Sequence, residues 1–365
     1  MNKEISEEKT AEIARDFFLG EFSFDELEYV PANLSNGDKK ELADLIIDYG
    51  EKTIAFQIKG RRGNPVPDGD KKWVERKINA AKDQLVNTLE QYSNYEIPQF
   101  MNGKGDRCAL KTRETYIGII ILYNEAVEDY KRIVSCKRID EQFQCFTYND
   151  FKVCCEKLVI PRDIIEYLEF RKKIIQSDKI CSADEELMAE EFLCGKYGTS
   201  NLNPHELDTF RWFLKTYQSR LVEGESDQYR DILQIFLELD RAGIDAFSRR
   251  IANIIDLARN KKASDSNYIV PQDKNSSSFL FIASNRFDKE YIERLTFLFM
   301  YKTKSNKCLS IVAYFENEDD IEFRLNWVYI KKDWKYDKPL EEICNSPEVK
   351  KKWDPALILT HKINK

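Results

Sequence analysis

Residues 40–61 read KELADLIIDYGEKTIAFQIKGR. Two β-patterned runs, Leu42–Tyr49 and Thr53–Gly60, flank Tyr49-Gly50-Glu51-Lys52, a hairpin-turn sequence. Pairing Tyr49 with Lys52 sets Asp44 opposite Gln57 and Leu42 opposite Lys59, and opposed side chains have Cβ atoms about 5 Å apart. Period-two alternation also puts Gln57 and Lys59 on one face. Three polar groups thus converge on a face that carries Leu42, Ile46 and Ala55 as well, and burying Asp and Lys among such neighbours is costly without partners or a task. Glu41 has the opposite parity and points away in a regular strand; a bend at the strand start would bring it in.

Outward from the hairpin, the N-terminal stretch from Glu7 to Phe22 has helical spacing, with Ile13, Ala14, Phe17 and Phe18 recurring every three or four residues. Phe24–Val30 reads as a strand, and RRGNPVPDGD (61–70) as a loop leading into a helix from Lys71 to Tyr92. Its stripe is Val74, Ile78, Ala81, Leu85, Leu89 and Tyr92. YIGIIILYN (116–124) is apolar on both faces, as a central strand should be. A strand over 142–147 and helices over 150–158 and 161–175 complete a mixed α/β unit, residues 1–178. Helical periodicity continues through 179–262, with a long pattern from Ile232 to Ala258 and a break expected at Gly243. The segment 261–278 reads as a linker. Strands FLFIAS, 308–315 and 322–330 and a helix near 289–302 make 279–365 a C-terminal α+β region, and periodicity leaves open whether it returns to the first sheet.

The chemistry that suits the polar face is phosphodiester hydrolysis. The Asp44 carboxylate, the Gln57 amide oxygen and the backbone carbonyl of Ile58 are hard oxygens of the kind Mg²⁺ or Mn²⁺ accepts. Such an ion offsets phosphoryl charge and acidifies a bound water. Lys59, beside it, can orient that water and stabilise developing charge. In this arrangement the stretch resembles the PD-(D/E)XK nuclease superfamily, with Asp44 as the first acid and Gln57-Ile58-Lys59 as a QxK form of the second half. The resemblance covers roughly residues 10–125, at most to 175. It implies a restriction-endonuclease-like mixed sheet flanked by helices and a metal-dependent endodeoxyribonuclease. Glu41 echoes an acid found just before the Asp in ExxD forms, and Gln84 lies where related nucleases place a glutamine facing the site. A further metal-site acid from the first helix would be Glu12, Asp16 or Glu21. The neutral Gln57 departs from the commoner Asp or Glu and lowers metal affinity. It sustains the other reading, a catalytically inactive module that uses the fold to bind nucleic acid or a partner protein.

Charge distribution agrees with a phosphate-directed site. Residues 1–50 hold 5 basic against 13 acidic side chains, whereas residues 59–82 hold 8 against 3. Arg61, Arg62, Lys71, Lys72, Arg76 and Lys77 are candidates for contact with a nucleic-acid backbone, double-stranded DNA above all. Trp73 reads as a core anchor at a helix start rather than a base-stacking residue. The whole chain, at −7, is not a passive basic coat. Nine cysteines without a CxxC spacing, and two histidines, fit reduced thiols better than a disulfide frame or a zinc site; Cys145, Cys154 and Cys155 read as small hydrophobes. The charged start MNKEISEEKT and the absence of a long apolar run point to a cytoplasmic protein with no membrane partner. Neither a phosphate-binding glycine loop nor a Ser/Cys–His pairing is indicated. Cutting both strands would favour a homodimer, and a nuclease joined to a large appendage suggests, by analogy, restriction or anti-phage defence with a possible partner protein.

Overall fold

Tyr49 pairs with Lys52, and antiparallel partners run back through Ile47–Ile54 and Ile46–Ala55 to Leu45–Phe56, the register expected of the hairpin. A computed structural model describes residues 5–30, 39–49, 52–60, 67–94, 97–110, 115–123, 130–177, 184–199, 203–219, 226–270, 277–315 and 322–353. The chain divides into two compact units, Met1–Asn201 and Leu202–Lys365. No helix among the described residues is long and apolar enough to cross a membrane.

The first unit runs α1 (Ile5–Phe18), a 3-10 turn (Gly20–Phe22), β1 (Ser23–Phe24), β2 (Glu28–Tyr29), β3 (Lys40–Glu41), β4 (Leu45–Tyr49), β5 (Lys52–Gly60), α2 (Pro67–Asn94), β6 (Gln99–Met101), β7 (Arg107–Ala109), β8 (Thr115–Tyr123), β9 (Ile133–Cys136), β10 (Glu141–Thr147), α3 (Tyr148–Leu158), α4 (Arg162–Gln176) and α5 (Glu185–Tyr197). Its mixed sheet has the order β1-β4-β5-β8-β10-β9. The β1-β4-β5 part is antiparallel, whereas β8 joins β5 in parallel. A parallel neighbour needs a crossover, and α2 supplies it. Both central strands are largely buried on both faces, which is why β8 and the middle of β5, Ile54–Phe56, are continuously apolar.

The two faces are covered differently. Ile46, Ala55, Ile120, Leu122, Phe143 and Cys145 form one core with Val74, Ile78, Ala81 and Leu85 of α2. Trp73 joins its margin as an anchor. On the opposite face Phe56 meets Phe151 of α3, ring centroids 5.4 Å apart. Cys145, Cys154 and Cys155 are buried thiols, and burial pushes each of them above the usual thiol range. Helix α5 belongs to this unit because its Glu185 is locked to Arg171 of α4. Arg171, fully buried, reaches Glu185 at 2.9 Å, the Gln144 side chain at 3.0 Å and the Cys145 carbonyl at 2.9 Å. A buried charge so completely paired fixes one docking of its helix.

The second unit has α6 (Pro204–Gln218), α7 (Ser226–Leu237), α8 (Arg241–Arg259), β11 (Ser264–Ile269), β12 (Ser278–Ser284), α9 (Lys289–Thr303), β13 (Lys307–Tyr314), β14 (Arg324–Lys331), α10 (Lys338–Cys344) and α11 (Pro347–Lys352), with a sheet of order β11-β12-β13-β14. Two expectations are corrected here. The helical pattern breaks before Asp240, not at Gly243. Asp240 caps α8 by accepting the Gly243 N–H at 2.7 Å, so the glycine sits in the first turn. The stretch read as a linker contains β11, an edge strand on β12, whose Ser and Asn content hid its pairing. Phe247 of α8 meets Phe279 and Phe281 of β12 edge-on, so helix and sheet share one core.

Two glycines test this packing in opposite directions. A methyl on Gly118 would lie 2.7 Å from Phe143 Cε1 and 3.1 Å from Leu85 Cδ1, in the α2-facing core. Gly118→Ala is expected to destabilise the first unit by about 1–3 kcal/mol. Gly195 lies inside α5 with nothing within 4 Å of the added carbon, and Gly195→Ala should stabilise by about 0.5–1 kcal/mol. Urea unfolding monitored by circular dichroism checks both, and equal midpoints would show that neither position is packed as described.

Candidate active site

The site is built where the β4–β5 ladder ends. Its last regular pair is Leu45–Phe56, yet the Asp44 N–H also bonds to the Phe56 carbonyl, at 3.2 Å. Two residues thus oppose one, as in a β-bulge, and the strand bends. The expected pairs Asp44–Gln57 and Leu42–Lys59 therefore do not form. The chain before the bend is drawn off by other partners: β3 pairs with β2, Glu28 opposite Glu41. The Leu42 N–H bonds to the Leu27 carbonyl at 3.0 Å, and the Leu42 carbonyl accepts from the Thr88 hydroxyl of α2 at 2.5 Å.

The bend brings Asp44 to the polar face by another route. Its Oδ2 accepts the Ile58 N–H at 2.5 Å, a donor that a continued ladder would have given to a backbone carbonyl. The same oxygen lies 3.3 Å from the Lys59 ammonium, which donates to Gln57 Oε1 at 2.9 Å. Asp44, Gln57 and Lys59 thus converge. Asp44 and Gln57 are buried, and the Lys59 side chain is 13 % exposed. Gln57 and Lys59 share the parity of Ala55, so they project toward the α2 side.

Glu41 is brought in by the same bend. Solvent reaches its outer side, but withdrawal of the carboxyl from water, then the charges of Asp44 and Glu7, push its pKa up to about 7 against the pull of Lys59. Glu28 adds to the repulsion, itself offset by Lys39 at 3.4 Å. Glu7 is thus the acid that α1 contributes to this neighbourhood. Of the acids considered on and after that helix, Glu12 and Asp16 face solvent, and Glu21 is buried in the 3-10 turn, where its carbonyl receives Asn102. The signal for Glu7 was in the sequence: it precedes Thr10, Ala11 and Ala14 on the buried stripe.

Other expected contacts fall as follows. Gln84 is exposed one turn before Thr88 and touches none of Asp44, Gln57 and Lys59. Lys77 is half-buried two turns earlier, and Lys71, Lys72 and Arg76 are exposed. Arg61 and Arg62 lie outside the described residues.

The donor set suits a hard cation in a limited way. Among the described residues no group of three or more His, Cys, Asp or Glu gathers to hold a metal ion. A cation here would draw on neutral oxygens beside the one carboxylate of Asp44. The Asp44 Oδ2 and the neutral Gln57 Oε1 already share one ammonium. A third oxygen, the Ile58 carbonyl, leaves β5 on the same edge as the Ile58 N–H that Asp44 accepts. No protein-family model, curated protein or solved structure matches the chain, so the reading of this site rests on its geometry.

The raised Glu41 carboxyl has a consequence for stability. The native fold binds this proton more tightly than the unfolded chain, so stability falls as pH rises from about 4.5 to about 7. The cost is absent below that window and complete above it. Glu41→Gln removes it, so the variant should gain on wild type between about pH 5 and 8 in urea-unfolding midpoints. A difference that does not change with pH would mean that the carboxyl is not crowded.

Proposed function

We propose that the chain is a metal-dependent nuclease of PD-(D/E)XK type that hydrolyses phosphodiester bonds of DNA within the strand. The observation that carries this reading is the convergence of Asp44, Gln57 and Lys59 through Lys59 Nζ at the end of the hairpin. The mixed sheet with helices on both faces supports it, since the resemblance implies that frame. Asp44 Oδ2, Gln57 Oε1 and the Ile58 carbonyl would hold Mg²⁺ or Mn²⁺. The ion, when bound, supplies positive charge to the phosphoryl oxygens and acidifies a water.

The chain's own groups do the rest. Asp44 and Gln57 hold Lys59 at the strand end, so its ammonium is placed before substrate arrives. A preplaced cation in a poorly solvated site stabilises charge developing on a phosphoryl oxygen without reorganising. Its protons also orient the attacking water. Glu41, whose proton is retained to about pH 7, can exchange a proton with that water near neutrality. Lys77 and the exposed cations of α2 offer contacts to the flanking phosphates.

One observation favours the non-catalytic module: Gln57 is neutral and no three-acid cluster completes the cation site among the described residues. Incubation of supercoiled plasmid with Mg²⁺ or Mn²⁺ separates the readings. Wild type should nick, and Asp44→Ala and Lys59→Ala should each lose at least about a hundredfold in rate. Chelation with EDTA should abolish nicking. Metal-independent cutting, or cutting that survives both substitutions, would sink the nuclease reading.

A further inference from the structure

We infer that the second unit carries its own nucleic-acid-binding surface, formed by the turn after α9 and the segment after β14; the partner's class rests on the nuclease reading. Five lysines gather there, Lys304, Lys307, Lys332, Lys335 and Lys338, against only Asp333 and Asp337 in the same two segments, while Lys302 at the end of α9 donates to the Cys344 carbonyl at 3.3 Å. In a chain of net charge −7 this is a marked local excess. Asp337 is further engaged as the N-cap of α10, accepting the Leu340 N–H at 3.0 Å.

The two segments are joined by a dense set of hydrogen bonds. Lys332 N–H donates to the Asn306 carbonyl at 2.9 Å, and Trp334 N–H to Asn306 Oδ1 at 3.0 Å. The Trp334 indole donates to the Tyr301 carbonyl at 3.0 Å. The Tyr301 hydroxyl donates to the Asp337 carbonyl at 2.9 Å and receives the Asp337 N–H at 3.0 Å. Lys304 sits over the Trp334 ring, 5.5 Å from its centroid. The loop is therefore held in one shape, and its order is already set before any ligand arrives.

What that shape presents has no packing purpose. Tyr336 is 65 % exposed, with Lys335 and Lys338 exposed on either side of it. Lys307 stands directly opposite Lys331 across the β13–β14 ladder. Like charges so placed repel. Lys331 is neutralised by Asp231 at 2.7 Å, whereas Lys307 adds its charge to the surface. Lysines spaced along a fixed loop match a row of phosphates, and an exposed tyrosine among them offers a ring on which an unpaired base can stack. Single-stranded DNA satisfies both features, so it is the partner this surface fits best.

Fluorescence anisotropy of the intact protein with a labelled single-stranded 20-mer in EDTA, across a KCl series, tests the inference. The combined Lys304→Ala, Lys307→Ala, Lys335→Ala and Lys338→Ala variant should bind at least tenfold more weakly. Its log–log salt dependence should be shallower by about 0.7 for each phosphate that is no longer neutralised. Tyr336→Ala, which removes no charge, should weaken binding several-fold and leave the salt slope unchanged. Should the fourfold variant melt below wild type, the pair Lys335→Glu and Lys338→Glu, on the exposed loop alone, replaces it with the same expected direction. Unchanged affinity and slope in these variants would overturn the inference. So would wild-type binding to phosphatidylserine vesicles with none to DNA. The two readings part cleanly. Lysine-dependent binding by a wild type that does not cut supports this surface and removes the nuclease reading; an Asp44→Ala variant that neither cuts nor loses binding supports both.

Discussion

The first unit depends on one hydrogen bond, from the Ile58 N–H to the Asp44 carboxylate. At that point β5 has outrun β4, and a buried N–H without an acceptor would cost about 1–3 kcal/mol. A carboxylate from the bulged residue supplies the acceptor. In doing so it carries a negative charge to the end of a largely apolar ladder. That charge has to be matched, and the Lys59 ammonium lies 3.3 Å from it. Lys59 in turn needs a second acceptor and finds Gln57. The order of causes is backbone first, charge second.

Beside this trio, Glu41 feels the charges of Asp44, Glu7 and Glu28 against the pull of Lys59. The fold tolerates the crowding because Glu41 holds its proton and keeps one side in water. Any added cation would relieve the same repulsion.

Much of this was legible in the sequence because it rests on short-range rules. The Tyr49–Lys52 pairing, the strands β5 and β8 and the stripe of α2 follow from turn chemistry and periodicity. The bulge at Asp44 does not. It is decided by Leu27 and Thr88, which capture the two backbone groups of Leu42 from far along the chain. Strand alternation predicts that these three side chains converge, but through a pairing that does not form, since Asp44 arrives through its bond to Ile58 and not by facing Gln57. Glu7 is not singled out beside Glu41 because helix periodicity is applied to apolar residues only. The short strands β6, β7 and β9 were not expected at all, and β11, rich in Ser and Asn, carried no apolar alternation to announce it.

Net charge is a poor guide to the second unit for a related reason. Potentials in physiological salt decay over about 8 Å, so a phosphate near Lys335 responds to the charges around it and hardly to the acidic total. What counts is whether the local lysines are cancelled at short range. Lys331 is, by Asp231. Around Tyr336 the acids are Asp337, whose side chain is turned to the start of α10, Asp333, which is exposed, and Glu341 one turn into α10, whose carboxylate accepts from Asn345. A loop pinned through Asn306, Tyr301 and Trp334 cannot fold these lysines back onto distant carboxylates. The hydrogen bonds that fix the backbone therefore also preserve the uncancelled charge, and an acidic protein keeps a basic surface.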